Sequence, residues 1–269
     1  TNTLSGSKEL FISQKPGIVS FYTCGPTMYG PAHIGNLRAY IFSDTLVRVL
    51  MSAGYRVQRV INITDFGHLV SEGDGGEDKM TKGLRREKLP LTMKNMRAMA
   101  EKYTAVFLED LAEVNVTVEE ITFPRASDYI PEQIALIKTL EQKGYTYRTN
   151  EGVYFDTSRF PSYGRLGGIA VGDQQPSARI KENKEKRHSA DFVLWKPDSK
   201  LGWESPWGPG FPGWHIECSA MSRSLLGQEI DIHAGGEDLI PVHLNNEIAQ
   251  SEAASGRPFV HYWIHNAFL

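Results

Sequence analysis

The order of apolar and polar positions along the chain switches repeatedly between a period of two and a period near 3.6, the rhythm of an α/β fold. Residues 18–24 form a short β-rich run closed by Gly25-Pro26, which reads as a buried strand ending in a turn. Over 34–53, Leu37, Ile41, Leu46, Val49 and Leu50 recur at roughly helical spacing, and Gly54 is a natural stop. Residues 55–61 alternate as a second strand, so 18–61 predicts a βαβ unit with a parallel sheet and a right-handed crossover. A further helix is expected over 91–112, where Met96, Met99, Ala100, Tyr103, Phe107, Leu108 and Leu111 share one face as a methionine-rich core stripe. From 113 to 210 the rhythm changes: a helix over 130–143, a strand over 152–156, a polar stretch over 181–188, a strand over 191–196, and a loop over 202–213 crowded with glycine, proline and tryptophan. The α/β rhythm then resumes, with helices over 215–226 and 241–254 and strands over 229–233 and 259–265. The pattern predicts two halves of one α/β domain, 1–112 and 211–269, separated by an insertion over 113–210.

Composition narrows the picture. The 269 residues carry 29 basic and 32 acidic side chains, a formal charge of −3, which excludes a polybasic tail but leaves room for a local basic face. A chain of this size buries roughly 70–75% of its unfolded surface, so no disulfide or metal is required to hold it together. Its two cysteines, Cys24 and Cys218, are too few for a disulfide framework and too far apart for a CxxC pair, which points to a reducing cytoplasm. Residues 1–17 have no signal-peptide core, and no run approaches the ~20 apolar residues of a membrane span, so a soluble intracellular protein is expected.

Two constellations carry candidate chemistry. Gly30-Pro31-Ala32-His33-Ile34-Gly35-Asn36-Leu37 lies between the first strand and first helix, where doubly wound sheets bind ligands and helix N-termini offer amide donors to phosphate. His33 and Asn36 can add side-chain donors, although an ordinary turn with a solvated histidine has the same look. The second set is Cys218 with His243 and Glu247, the last two spaced i, i+4 so that both leave one helix face. Cys24 ends the strand before the His33 loop, and folding could bring both thiols to that face. Equally, the cysteines can be small buried hydrophobes and the His/Glu pair a hydrogen-bonded one; spacing alone does not make a zinc site. His215-Ile216-Glu217 has the His-x-Glu of zinc deaminases but lacks their Cys-x-x-Cys. Gly235-Gly236-Glu237-Asp238 after a strand fits a nucleotide-contacting loop or a plain glycine turn.

Taken in order, these words resemble the cysteinyl-tRNA synthetases of class I. The resemblance rests on Cys24-Gly25-Pro26-Thr27, His33-Ile34-Gly35-Asn36, Asn62-Ile63-Thr64-Asp65, Asp191-Phe192-Val193-Leu194-Trp195, Trp214-His215-Ile216-Glu217-Cys218, Gly235-Gly236-Glu237-Asp238-Leu239 and Asn246-Glu247-Ile248-Ala249-Gln250-Ser251. It implies a Rossmann-type parallel sheet split by a connective insertion. It also implies one Zn²⁺ bound by Cys24, Cys218, His243 and Glu247 and joined by the thiol of substrate cysteine. Gly25, Thr64 and Trp214 would line the cysteine pocket. His33, Asn36, Gly236 and Asp238 would form the ATP site, with His33 and Asn36 acting in catalysis. The implied reaction joins cysteine and ATP, with Mg²⁺, into cysteinyl-adenylate and then charges tRNA(Cys). Zinc suits this task, because it lowers a coordinating thiol from its free value of ~8.5 and prefers thiolate to hydroxyl, whereas a shape-only pocket would separate cysteine from serine by only about 1–3 kcal/mol. Four protein ligands usually mark a closed zinc, so a weakly held Glu247 or five-coordination is expected.

Three departures stand out. The family's His-Ile-Gly-His ends here in Asn36, which keeps a donor but carries no charge. Its His-His-Glu-Asn-Glu reads His243-Leu244-Asn245-Asn246-Glu247, with the two presumed ligands kept. The sequence stops at Leu269, before the family's Lys-Met-Ser-Lys-Ser loop and anticodon-binding domain, so binding of cysteine and ATP is expected to outlast catalysis in these residues. Lys79-Met80-Thr81-Lys82 looks like that loop but lies in the first half of the fold. Two rival readings share most motifs: a ligase joining activated cysteine to a sugar amine, and a non-catalytic paralogue that keeps zinc and nucleotide.

Overall fold

The computed structural model describes residues 1–67, 78–168 and 185–267. The polar stretch expected over 181–188 lies partly outside the described residues. Strand β1 (Ile18–Thr23) leads to helix α1 (Ile34–Ser52) and strand β2 (Arg56–Ile61). Helices α2 (Lys79–Arg86) and α3 (Met93–Glu113) precede the two-residue strand β3 (Ile121–Thr122) and helix α4 (Ile130–Gln142). Strands β4 (Thr146–Thr149), β5 (Gly152–Phe155), β6 (Phe192–Pro197) and β7 (Gly210–Pro212) follow. The chain closes with α5 (Trp214–Leu226), β8 (Ile230–Gly236), a π-helical turn (Ile240–Leu244), α6 (Asn245–Ser255) and β9 (Val260–Asn266).

Two sheets result. One has the order β3-β2-β1-β8-β9 with every neighbouring pair parallel, the doubly wound arrangement expected of a Rossmann-type sheet. Its central strands are buried on both faces: in β1 every residue after Ile18 is buried, which is why the run is apolar without strict alternation. The other sheet, β4-β5-β6-β7, is antiparallel.

Several local expectations change in the folded chain. Ile121 and Thr122, placed by the sequence rhythm in the insertion, form the edge strand of the parallel sheet beside Arg59 and Val60. A run of two residues is too short to carry a period. Gly210–Pro212, expected to be loop, pairs with β6, because its partner strand supplies the hydrogen bonds that its own composition does not advertise. In keeping with its place in the first half of the fold, Lys79 to Lys82 opens a helix and is not the family's loop, with Asp78 capping it by accepting from the Met80 and Thr81 amides and Met80 fully buried. The helix expected over 241–254 begins as the π turn, whose Ile240 carbonyl accepts from Asn245 Nδ2 at 2.8 Å. In α3 the predicted stripe is buried except for Leu108, which is half-buried.

The two sheets are not separate bodies. Leu136, Ile137 and Leu140 of α4, Val153 and Phe155 of β5, and Phe192, Leu194 and Trp195 of β6 share one core with Ile216 and Ala220 of α5 and Ala249, Ala253 and Ala254 of α6. A second core packs α3 and α2 against Ile61, Ile63 and Met28. Where α1 crosses β2, the apolar contact is interrupted by a buried ion pair, Arg59 Nη1 to Asp44 Oδ1 at 2.6 Å, with Arg48 closing on the other carboxylate oxygen. Because α4 packs against the antiparallel sheet and against α5 and α6 alike, Ile137→Ala is expected to cost about 2–5 kcal/mol and to leave unfolding as one transition. Urea denaturation followed by tryptophan fluorescence and by far-ultraviolet dichroism checks this; a separate early transition of the antiparallel sheet would contradict it.

Candidate metal centre and nucleotide cleft

In a parallel sheet all strands end on one side, so the segments that follow them gather there. Cys24 and Gly25 follow β1, Asn62 follows β2, Gly235 and Gly236 end β8, and Asn266 ends β9 in register with Gly236. Together with the His33 loop and the first turn of α5 they wall a cleft of ≈ 670 Å³. Cys24, Gly25, His33, Asn36, Trp214, Cys218, Gly236, Asp238 and His243 line it. Thr64 and Glu247 do not: both are buried one layer deeper, Thr64 behind Asn62 and Glu247 beneath His243 and Cys24.

Cys24, Cys218, His243 and Glu247 converge, with ligand atoms all within 4.8 Å of one another. Cys24 Sγ lies 3.4 Å from Glu247 Oε1, and His243 Nε2 lies 2.9 Å from the same oxygen. That nitrogen is buried without a well-aligned hydrogen bond, although the carboxylate lies within ion-pair distance, so it is an unsatisfied donor atom inside the cluster. Two thiols, an imidazole and a carboxylate are the donor set of a borderline-soft dication. The set fits a metal on electrostatic grounds as well, since two like charges about 4 Å apart repel by about 4 kcal/mol even at an effective dielectric of 20.

A shell of histidines holds the carboxylate and imidazole in place. His233 Nε2 meets Glu247 Oε2 at 3.1 Å, leaving Oε1 on the cysteine side. His215 Nδ1 lies 2.9 Å from His243 Nδ1, which turns the Nε2 of His243 toward the other donors. Neither histidine is singled out by the sequence reading as a site residue. A histidine inside the buried run of β8 is the one signal that marks His233. His215 stands in sequence in a deaminase-like word and in the family word Trp214-His215-Ile216-Glu217-Cys218, neither of which gives it a role at the metal.

The titration pattern follows from this packing. Burial alone disfavours charge on Glu247, yet His233 and His243 hold it down at about 2. Burial likewise opposes the His243 cation, but the Cys218 sulfur and Glu247 carboxylate hold it up at about 10. The hydrogen bond with Cys24 pulls Cys218 down to about 6 against its burial. Cys24 goes the other way, pushed well up by burial, by Cys218 and by Glu247. His215 is driven well down by burial and by its cationic neighbour, which makes it the acceptor of their shared proton.

At the other end of the cleft, His33 and Asn36 form a reciprocal cap on α1: Asn36 N donates to His33 Nδ1 at 3.4 Å and His33 N donates to Asn36 Oδ1 at 3.2 Å. With Nδ1 accepting, the ring proton of neutral His33 sits on Nε2, and Asn36 keeps its NH₂ as donor. Trp214 packs on the metal side of the cleft wall, its ring 4.6 Å from that of His243 and 5.1 Å from Lys79 Nζ. A glycine is needed at Gly25, because a Cβ there would overlap the Asn62 backbone carbonyl, and at Gly236 a Cβ would displace the Asp238 carboxylate from its present position.

Fold and site define a class I aminoacyl-tRNA synthetase catalytic domain, and a family model described as "tRNA synthetases class I (C) catalytic domain" matches residues 10–269, so the chain belongs to that family. Among curated relatives, a cysteine–tRNA ligase of Treponema denticola is 49% identical over 273 residues, covering 100% of this chain and 54% of the relative. Cysteine–tRNA ligase 1 of Burkholderia lata is also 49% identical over 273 residues, covering 100% of this chain and 57% of the relative. The chain thus spans about half the length of the curated relatives it matches. A solved Mycobacterium tuberculosis methionyl-tRNA synthetase in complex with methionyl-adenylate superposes with a TM-score of 0.66 at 14% identity, over 93% of this chain and 57% of that one. That likeness is one of fold. No helix among the described residues is long and apolar enough to cross a membrane.

At neutral pH a dication entering this set must displace the protons of Cys24 and His243, while Cys218 and Glu247 are already ionised. Metal uptake is therefore expected to release about two protons per ion and to tighten as pH rises. Calorimetry in buffers of different ionisation enthalpy reads the release directly, and heats that do not depend on the buffer would exclude it.

Proposed function

We propose that this chain is the catalytic region of a cysteine–tRNA ligase, which activates cysteine with ATP and transfers it to tRNA(Cys). The observation that carries the reading is the buried Cys24, Cys218, His243 and Glu247 set at the wall of a cleft whose far end is a capped helix N-terminus. The names of the curated relatives support tRNA over a sugar amine as acceptor. The proposal carries the expected domain division forward, 1–112 and 211–269 as halves of the Rossmann-type domain around an insertion over 113–210, with the first boundary moved beyond β3. Two thiol ligands need reducing surroundings, which fits a cytoplasmic protein.

The four donors would hold Zn²⁺, and Mg²⁺ would accompany ATP. When bound, zinc takes the substrate thiol as thiolate, a preference that a serine hydroxyl does not satisfy. Gly25 and Trp214 flank the ligand set and would hold the amino acid against it, with Thr64 acting from behind the wall. The His33 Nε2–H, the Asn36 NH₂ and the α1 amides would donate to phosphate oxygens, while Gly236 and Asp238 would face the nucleoside. The substrate carboxylate then attacks the α-phosphorus of ATP and pyrophosphate leaves, a step that needs orientation and charge stabilisation but no protein nucleophile. Asn36 supplies its donor without a charge.

Metal analysis of the purified protein is expected to give about one zinc per chain, and Cys218→Ser to lose both the metal and stability, since the ligands converge only on folding. In the full-length protein that carries this chain, cysteine should drive ATP–pyrophosphate exchange while serine at equal concentration drives almost none. Less than about a tenth of an equivalent of zinc, or equal exchange with the two amino acids, would sink the reading.

A further inference from the structure

The turn into α1 offers phosphate its donors without a fixed cation, because Asn36 stands where the family carries a histidine. Among the described residues that wall the cleft, Lys79 and Arg86 carry fixed positive charge. Lys79 Nζ lies 5.1 Å from the centre of the Trp214 ring, on the metal side. Arg86, in the last turn of α2, lies instead against the loop that leads to His33, where its Nη2 donates to the Tyr29 carbonyl. A Cβ on Gly30 would come within 3.1 Å of Nη1 and 3.2 Å of Nη2, so the missing side chain at Gly30 gives the guanidinium its room beside the loop.

Arg86 is also held from behind. Its Nη2 donates to the Tyr103 hydroxyl at 3.1 Å, and that hydroxyl gives its own proton to Glu87, whose carboxylate accepts from Lys102 Nζ at 3.0 Å. A phenol oxygen whose proton goes to a carboxylate is left as an acceptor, which fixes the direction of the tie to Arg86. Tyr103 belongs to the buried stripe of α3, so the relay is anchored in the core. Both ties use Nη2. Nε and Nη1 meet no acceptor among the described residues, which leaves one edge of a positioned guanidinium for an anion.

We propose that Arg86 supplies the positive charge that Asn36 does not, by donating from Nη1 and Nε to the β- and γ-phosphate oxygens of ATP and holding the pyrophosphate as it leaves. The inference rests on the proposed function and adds to it a residue that lies in none of the family words. A guanidinium stays charged at any working pH, and its planar fork matches two phosphate oxygens at once. Negative charge builds on the leaving pyrophosphate as the α-phosphorus is attacked, and a cation fixed in advance stabilises it without reorganising. Tyr103 and Glu87 are positioning residues, since they act through Arg86.

The test uses the full-length protein that carries this chain, loaded with zinc, and compares ATP with AMP, which lacks the phosphate tail, by calorimetry in Mg²⁺. Arg86→Met should weaken ATP about ten- to hundredfold, the range for a hydrogen bond to a charged group, with AMP affinity, cysteine affinity and zinc content unchanged. Arg86→Lys should keep part of the ATP affinity, because the charge remains without the fork. Asn36→His should raise ATP affinity more in the Arg86→Met background than in the native protein, the coupling expected if one cation substitutes for the other. Tyr103→Phe should weaken ATP in the same direction by a smaller factor, and serves if Arg86→Met does not fold. Equal losses for ATP and AMP would make Arg86 a structural tie, and unchanged ATP affinity with slowed transfer to tRNA would place it on the RNA. Either result overturns the inference and leaves the proposed function standing. A full-length protein without cysteine-dependent ATP–pyrophosphate exchange would overturn that function and this inference with it.

Discussion

The interaction on which the site depends is the enforced closeness of two thiols, an imidazole and a carboxylate in a largely buried volume at the wall of the cleft. Without a cation the group balances itself by moving protons: His243 and Cys24 keep theirs, while Glu247 and Cys218 give theirs up. That solution is costly in desolvation and is sustained only because His233 and His215 supply hydrogen bonds from behind. A dication satisfies all four donors at once. The surroundings are therefore shaped for a charge that the protein's own side chains supply only in part.

The parallel sheet makes this convergence possible. Cys24 leaves the end of β1, Cys218 sits in the second turn of α5, His243 in the π turn after β8, and Glu247 in α6. Four chain segments far apart in sequence meet because β1 and β8 are neighbours and point the same way. His243 lies in the π turn that runs directly into α6, one helical turn before Glu247. At the opposite end of the cleft the same strand-to-helix turn that starts α1 supplies the phosphate-facing groups, and the reciprocal cap between His33 and Asn36 keeps them in one conformation. Asn36, a departure from the family's usual histidine, is what completes that cap.

The antiparallel sheet is tied to this machinery through a shared core. Strand β7 runs through Gly213 straight into Trp214, the residue that flanks the metal set on one side and Lys79 on the other. Helix α4 packs on the same apolar surface as α5 and α6, which carry Cys218 and Glu247. Any displacement of the insertion is thus felt at two ligand-bearing helices.

The long elements are legible from pattern in their extent, and α3 buries the face its spacing marks out. In α1, by contrast, the expected Ile41 and Val49 are exposed and Tyr40, Asp44 and Val47 are buried instead, because the helix turns toward the sheet the face that carries the Asp44 ion pair with Arg59. The short pieces are not legible, because β3 and β7 are too brief for periodicity and exist through hydrogen bonds donated by partner strands. Of the candidate site, the residue types and their order belong to the sequence: two lone cysteines, a His/Glu pair at i, i+4, and a His-x-x-Asn loop before a helix. Their meeting does not, because spacing along the chain carries no distance between segments separated by a sheet. Nor do the supporting residues. His233 looks in sequence like an ordinary strand position and His215 belongs to a word that says nothing of its task, and only their burial against the ligand set gives each one its hydrogen-bonding role.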